Sequence, residues 1–530
     1  MDAAIFALAL PAVASLLLDP VLGVVDTAFV GRIRGEGAAE ALGGLAVATA
    51  VFNFSFKLFN FLAEVTGPLV ASQIAAAEAE ATALSDDAGL SGTNQTNNTK
   101  TTTRTKAAET VRGAMTLAVS LGIFACVALE LGAETILRWS GADGVSSLNG
   151  EVDGGNMLRQ AEAYLRVRAL SAPAALIGTV AVGAYRGLLD TKTPLLVSGA
   201  ANAVNLAMDP VLIFGFGPVP AFGVAGAAAA TTTAEWIAAV VFWKMLVDEG
   251  LLPGMSGMTR MGGMGKTTTT ERTTGTGTTN LIGSPDASIA GWFGALKPLA
   301  AGSASQLVRT LILQAVLLRA TAEAAGAGAA APHQICVQVW WVTLFALDAL
   351  AVAAQSLVAS SLGANDVARA RTAADRCLRW ALATGTAVGV GIYAAGPALP
   401  GVFTDDAALA ESTRGPLALV ASLQPLNAAV FVGDGVLQGA ADFDYLAMAM
   451  AASAAPALVM LGAVGSGANA GLAIGASAEI VSATALDGVW RAMATLQLVR
   501  AGTLSWRYWF DGRSPVASRD ADEAGKENGE

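Results

Sequence analysis

Apolar residues occupy this chain in long blocks rather than in alternation. Twelve of the blocks are long enough to be membrane helices. They run approximately 3–31, 41–76, 109–137, 160–186, 194–216, 221–247, 294–320, 328–362, 371–397, 413–438, 443–467 and 470–500. A perpendicular crossing takes about 20 residues, so the longer blocks tilt or extend past the hydrocarbon. Most connections are short, and two are not. Residues 77–108, ending in SGTNQTNNTKTTTRTK and two alanines, and residues 248–290, containing MTRMGGMGKTTTTERTTGTGTTN, lack periodicity and are expected to be flexible. The second of them leaves six spans on each side. The expected layout is an N-terminal lobe over 1–247, a linker on the cytoplasmic side over 248–290, a C-terminal lobe over 291–505 and a charged tail over 506–530.

Composition agrees with an all-α polytopic membrane protein. Hydrophobic residues make up 54% of the chain and charged residues 14%, against about 25% charged in a soluble domain. Abundant Ala and Gly suit close helix packing in a bilayer. Lys and Arg, such as Lys100, Arg104, Arg369 and Arg371, concentrate on the side that an even number of spans gives to both termini. That side is therefore expected to be the cytosol or its equivalent. The net charge of −11 comes from loops and the acidic tail and does not point to nucleic acid. Cys126, Cys336 and Cys377 all fall in apolar blocks, with no disulfide framework or metal spacing. The single histidine, His333, makes His-based catalysis or metal binding an unpromising reading. The chain enters its first span within a few residues of Met1. Either that helix is the insertion signal, or a targeting extension precedes it.

Two carboxylates, Asp19 and Asp26, sit seven residues apart on one face of the first span. A charge at membrane depth costs roughly 2.5–3.5 kcal/mol on insertion scales, so such residues usually face a polar partner or a water-filled cavity. The fifth span carries Asn202, Asn205 and Asp209 at i, i+3 and i+7, again on one face. In the second span Asn53, Lys57, Asn60 and Glu64 follow i, i+4, i+7 and i+11, a polar stripe through apolar sequence. Arg309, Asp348 and Asp434 are ionisable groups within the second half's blocks. Arg309 is expected either to attract an anionic solute that Asp434 gates, or to neutralise Asp434 within the membrane.

The halves repeat. Pro173, Gly187 and Asp190 of the fourth span recur as Pro425, Gly439 and Asp442 of the tenth. The tetrapeptide LVAS closes both the second span at Ser72 and the eighth at Ser360. Span n matches span n+6, so the two six-helix lobes share one orientation, related by a pseudo-two-fold axis along the membrane normal. Such lobes rock about a central cleft in transporters.

The ordered set ALPAVASLLLDPVLGVVDTAFVGR, ATAVFNF (from Ala48), YRGLLDTKTP (185–194), NLAMDP (205–210), HQICVQVW (333–340), FALDALAVAAQSLVA (345–359) and SLQPLNAAVFVGDGVLQGAADFDY (422–445) resembles the MATE (multidrug and toxic compound extrusion) transporters. The nearest likeness is to their DinF-like branch, which includes plant organic-acid exporters. The likeness covers nearly all of 1–505. It implies a cation-coupled antiporter, driven by H⁺ or Na⁺, that exports a xenobiotic or a small organic anion such as citrate by alternating access. It implies that Asp26, Asn205 and Asp209 form the cation site, with Thr231 completing it, and that Pro11 is the hinge at which the first helix bends. Asn53, Lys57, Asn60, Glu64, Arg309, Asp348 and Asp434 are the candidates for the substrate cleft. A carboxylate pair brought close together resists double ionisation and carries a proton. The same oxygens suit Na⁺. No other cofactor is expected. The expected partners are the small-molecule substrate and the lipid bilayer, with no nucleic acid, and the chain is expected to act as a monomer. The membrane is left open between plastid envelope and plasma membrane. No G-x-x-x-x-G-K-[ST] stretch supplies nucleotide-driven transport. The alternatives are a flippase for lipid-linked substrates on a related two-lobed frame and an intramembrane enzyme. The latter lacks a catalytic context around Asp26 and Asp209.

Overall fold

The computed structural model describes residues 1–30, 32, 38–87, 93–139, 154–253, 289–396, 398–403, 407–473 and 477–516. Among them are fourteen α-helices, the form that satisfies backbone polar groups in hydrocarbon within one segment. In the first half they are α1 (Asp2–Val30), α2 (Ala38–Lys57), α3 (Phe61–Asp87), α4 (Thr93–Trp139), α5 (Gly154–Ala169), α6 (Ala172–Gly187), α7 (Lys192–Phe214) and α8 (Val224–Asp248). In the second half they are α9 (Ile289–Gly326), α10 (Ala330–Gly363), α11 (Val367–Ala395), α12 (Ala407–Gly439), α13 (Phe443–Ala473) and α14 (Ala478–Trp509). They make twelve spans, because α2 with α3 and α5 with α6 are each one span in two pieces. Among the described residues, six helices and the bent α5–α6 pair are long and apolar enough to cross a membrane by length and composition alone. Several of the others carry buried or half-buried ionisable groups, among them Asp26, Lys57, Glu64, Arg309 and Arg500.

Both breaks correct the expectation of unbroken spans at 41–76 and 160–186. Residues 58–60 form a turn in which Phe59 and Asn60 donate backbone N–H groups to Phe56 and Lys57, three residues back instead of four. The bend between α5 and α6 is 52°. It falls at Leu170–Ser171, just before Pro173, whose ring nitrogen has no proton for the carbonyl four residues earlier. Residues 77–108, expected as a flexible loop, are helical on both sides of 88–92. Thr93–Arg112 contains no Gly or Pro, so the helix nucleated in the membrane propagates outward through the Thr-rich stretch. The last helix starts at 478 rather than 470 and runs to 509, past the expected start of the tail. Val516 then packs back as a buried residue. Of the linker, residues 254–288 lie outside the described residues.

The repeat is visible in the backbone. Leu189 and Ala441 have φ of 59° and 56° and occupy equivalent places in two identical turns. In one, Leu188, Leu189 and Asp190 donate to Ala184, Arg186 and Tyr185; in the other, Ala440, Ala441 and Asp442 donate to Val436, Gln438 and Leu437. Glycines match as well. A Cβ at Gly183 would meet the Ala63 backbone, and one at Gly187 would lie 2.7 Å from the Gly67 carbonyl oxygen. Gly435 and Gly439 meet the backbones of Ala351 and Gln355 in the same way. These are the same two contacts between the second and fourth spans of each lobe, where absent side chains let helices touch.

Between the lobes, α10 lies against α1 and α3, while α9 lies against α3 and α4. Ile5, Leu8 and Ala9 of α1 pack into one cluster with Leu347, Leu350, Val358 and Cys377. Asp2 pairs with Arg376 of α11 at 3.1 Å and accepts from Trp380 Nε1. Arg371 donates to the carbonyls of Tyr508 and Val516, so both ends of the described chain meet α11 on one face of the molecule. The lobes are joined on that terminal face.

Candidate functional site

α1 and α7 bring Asp26, Asn205 and Asp209 together. Asn205 and Asp209 are fully buried and Asp26 nearly so. Asn205 Nδ2 donates to Asp26 Oδ1 at 3.5 Å and to Asp209 Oδ2 at 3.4 Å. Both bonds are long against an ordinary 2.7–3.2 Å, so the amide sits between two carboxylates and is held firmly by neither. The two carboxylates thus share one donor and are close enough to act on each other. Asn205 Oδ1, Asp209 Oδ1 and Asn202 Nδ2 are buried without a partner among the described residues. Two buried acids at this separation repel when both are charged, and a shared proton or a small cation among their oxygens relieves that repulsion. At 1.5 Å per residue, Asp26 lies about 36 Å along α1 from Asp2, so the trio belongs to the half opposite the terminal face.

Among the described residues Thr231 makes no hydrogen bond to these three side chains. Its hydroxyl donates to the Ala227 carbonyl of its own helix at 3.0 Å, the usual back-bond of a membrane threonine. Pro11 lies in the terminal half of α1, which continues as one α-helix to Val30. The Asp19 side chain lies outside the described residues.

Arg168 was not anticipated. It sits at the end of α5, next to the bend, and is buried. It pairs with Glu235 of α8 at 2.8 Å, donates to Ser171 Oγ at 2.9 Å and lies 4.0 Å over the Phe52 ring. It is also close enough to attract Asp26 through space. Its only sequence signal was an arginine inside an apolar block, and the bend hid whether that position lay in the membrane or beyond it.

The polar stripe of the second span does not survive the turn at 58–60, because helical spacing holds only along one unbroken helix. Asn53 and Asn60 are exposed. The Lys57 ammonium lies 4.0 Å over the Trp341 ring of α10 and makes no ion pair among the described residues. Glu64 faces the other lobe. Its Oε2 is 3.5 Å from Arg309 Nη1 of α9, and its backbone carbonyl accepts from Gln355 Nε2 at 2.9 Å.

Arg309 and Asp434 form the expected pair, with Nη2 to Oδ2 at 2.5 Å. Arg500 of α14 adds a second guanidinium to the same Asp434 oxygen. The network continues from Arg500 to Gln497 at 2.8 Å, and from Gln497 to Asn427 at 2.8 Å. Asp348 is half-buried, with Arg186 and Arg309 near enough to act on it but no ion pair among the described residues. His333 is buried, with Nε2 3.4 Å from Thr321 Oγ1, an ordinary hydrogen-bonding residue.

The MatE family model matches residues 101–211 and 298–486, more than half of the chain. Protein DETOXIFICATION 44, chloroplastic, of Arabidopsis thaliana is 32% identical over 450 residues, covering 84% of this chain and 73% of that protein. DNA damage-inducible protein F of Escherichia coli is 27% identical, covering 69% and 64%. Among solved structures, a MATE in the bent conformation superposes with a TM-score of 0.70 at 17% identity, covering 99% of this chain and 96% of the other. A MOP superfamily transporter from Pyrococcus furiosus gives 0.68 at 16%, covering 95% and 94%. With two six-span lobes, a repeat running through both and these relatives, the chain belongs to the MATE family: it is a multi-pass membrane transporter of the multidrug and toxic compound efflux class, and not an enzyme.

Proposed function

We propose that the protein is a cation-coupled antiporter that exports an organic solute, with Asp26, Asn205 and Asp209 as the coupling site. The observation that carries this reading is one buried amide placed between two buried carboxylates on different helices. A site whose oxygens come from both α1 and α7 changes its internal repulsion when an ion arrives, and α1 also packs against the other lobe through α10. Occupancy is thereby linked to the balance between lobe arrangements. With the terminal face on the cytosolic side, the trio lies in the outer half, where H⁺ or Na⁺ enters down its gradient. Pro11, between the trio and the Asp2 contact with α11, is a place in α1 where a bend costs one hydrogen bond fewer.

The transported solute is either a cationic xenobiotic or a small organic anion such as citrate. Arg309, set where the lobes meet, favours the anion. Two of the relatives are named chloroplastic, and each aligns over 84% of this chain, which supports a plastid envelope as the membrane. Purified protein in liposomes, under an imposed pH or Na⁺ gradient and offered a panel of anions and cations, tests both parts. Asp26→Asn and Asp209→Asn are each expected to abolish gradient-driven transport. Full gradient-driven transport by Asp26→Asn refutes the coupling role.

A further inference from the structure

Two arginines share one carboxylate oxygen in the C-terminal lobe, since Arg309 and Arg500 both reach Asp434 Oδ2. One negative charge thus answers two positive ones. The only other ion pair that either arginine makes among the described residues is with Glu64, which belongs to the opposite lobe. That contact is poorly made. At 3.5 Å it exceeds the 2.7–2.9 Å of a charge-assisted hydrogen bond, and Glu64 Oε2 has no hydrogen-bond partner. Among the described residues, donors beside it are idle. Arg309 Nε is buried without an acceptor there. So is Nε2 of Gln306, a fully buried side chain one turn earlier on α9 whose Oε1 accepts from Arg309 Nη1 at 3.3 Å.

We propose that Glu64 is a tethered stand-in for the carboxylate of a solute, so that a free carboxylate binds at Arg309 and Gln306 by displacing it. This rests on the organic-anion reading above and adds what the protein does to regulate that site. A free carboxylate is not tied to α3, so it meets the idle donors at normal distances, which the Glu64 side chain does not do. Displacement also cuts the ion pair that joins α3 to α9, so solute binding and loosening of the lobes become one event. Lys57 over Trp341 and the Glu64 carbonyl on Gln355 remain as the other polar ties from the second span to α10. A tethered competitor lowers apparent affinity by the fraction of time it occupies the site, and its removal restores that factor.

The test measures citrate and malonate binding to the purified full-length chain by tryptophan fluorescence, with no gradient imposed. Glu64→Gln is expected to bind both at least tenfold more tightly than the unaltered protein, and Arg309→Gln to bind neither. Glu64→Asp keeps the charge but falls short of Arg309; it is expected to shift affinity the same way by a smaller factor, and it carries the test where Glu64→Gln misfolds. Unchanged or weaker binding in the folded Glu64 variants overturns the proposal, as does absence of carboxylate binding in all of them. The binding readout does not depend on which residue couples the ion. Failure here and failure of the Asp26 experiment are therefore separate results.

Discussion

Asp434→Asn isolates the question of what the C-terminal acid is for. The substitution keeps size and one acceptor oxygen but removes the charge that buried Arg500 and partly buried Arg309 share. Each charge-assisted bond contributes about 1.5–3 kcal/mol, and breaking a buried pair by removing one partner costs about 3–5 kcal/mol. Both bonds end on one oxygen and are not independent, so we expect a loss of about 4 kcal/mol, roughly a thousandfold in the unfolding equilibrium. Reversible unfolding in mixed micelles measures it. Arg500→Gln in the same chain should offset part of the loss, because it removes one of the stranded charges, and the double variant should cost less than the sum by about 1–3 kcal/mol. Folded Asp434→Asn should keep the ion-to-solute stoichiometry, since the proposed coupling site lies in the other lobe. A loss below about 1 kcal/mol means that water already solvates both arginines and that the shared-oxygen reasoning is wrong. A changed stoichiometry assigns coupling to Asp434 instead.

Arg168→Gln leaves the half-buried Glu235 without its ion pair and removes a cation that acts on Asp26; we expect a cost of about 1–3 kcal/mol in the same unfolding assay, partly recovered by adding Glu235→Gln. Cys377 is fully buried in the cluster that joins α1 to α11. In a chain with Cys126 and Cys336 replaced, its maleimide labelling should be slow at rest and accelerate when Asp2→Asn frees Arg376; equal rates would mean that Asp2 does not hold the terminal face closed. The backbone N–H of Arg513, followed by the Arg507 side chain, holds the Asp511 carboxyl down at about 2. A depressed acid contributes stability above its unfolded value near 3.9 and loses it as pH falls through the folded one. Asp511→Asn should therefore speed proteolysis of the segment after Trp509 at pH 7, with the difference from the unaltered chain shrinking as pH falls from about 4 to 2.

The class, the span count and the repeat were legible along the chain. Each rests on a local property: an apolar block is a helix wherever it sits in hydrocarbon, and Gly187 and Gly439 mark the same backbone contact in each half. The face shared by Asn202, Asn205 and Asp209 was legible for the same reason, since helical spacing alone places them. Where a helix breaks, spacing fails, which is why Asn53 on α2 parted from Glu64 on α3 across the turn at 58–60. Which charges meet was set by the packing of the helices. Arg168 with Glu235, Arg500 with Asp434 and Glu64 with Arg309 are partners far apart in the chain. Their meeting depends on the depth and rotation at which whole helices pack, and helix packing sets both through contacts, such as those at the glycines, that no single segment contains.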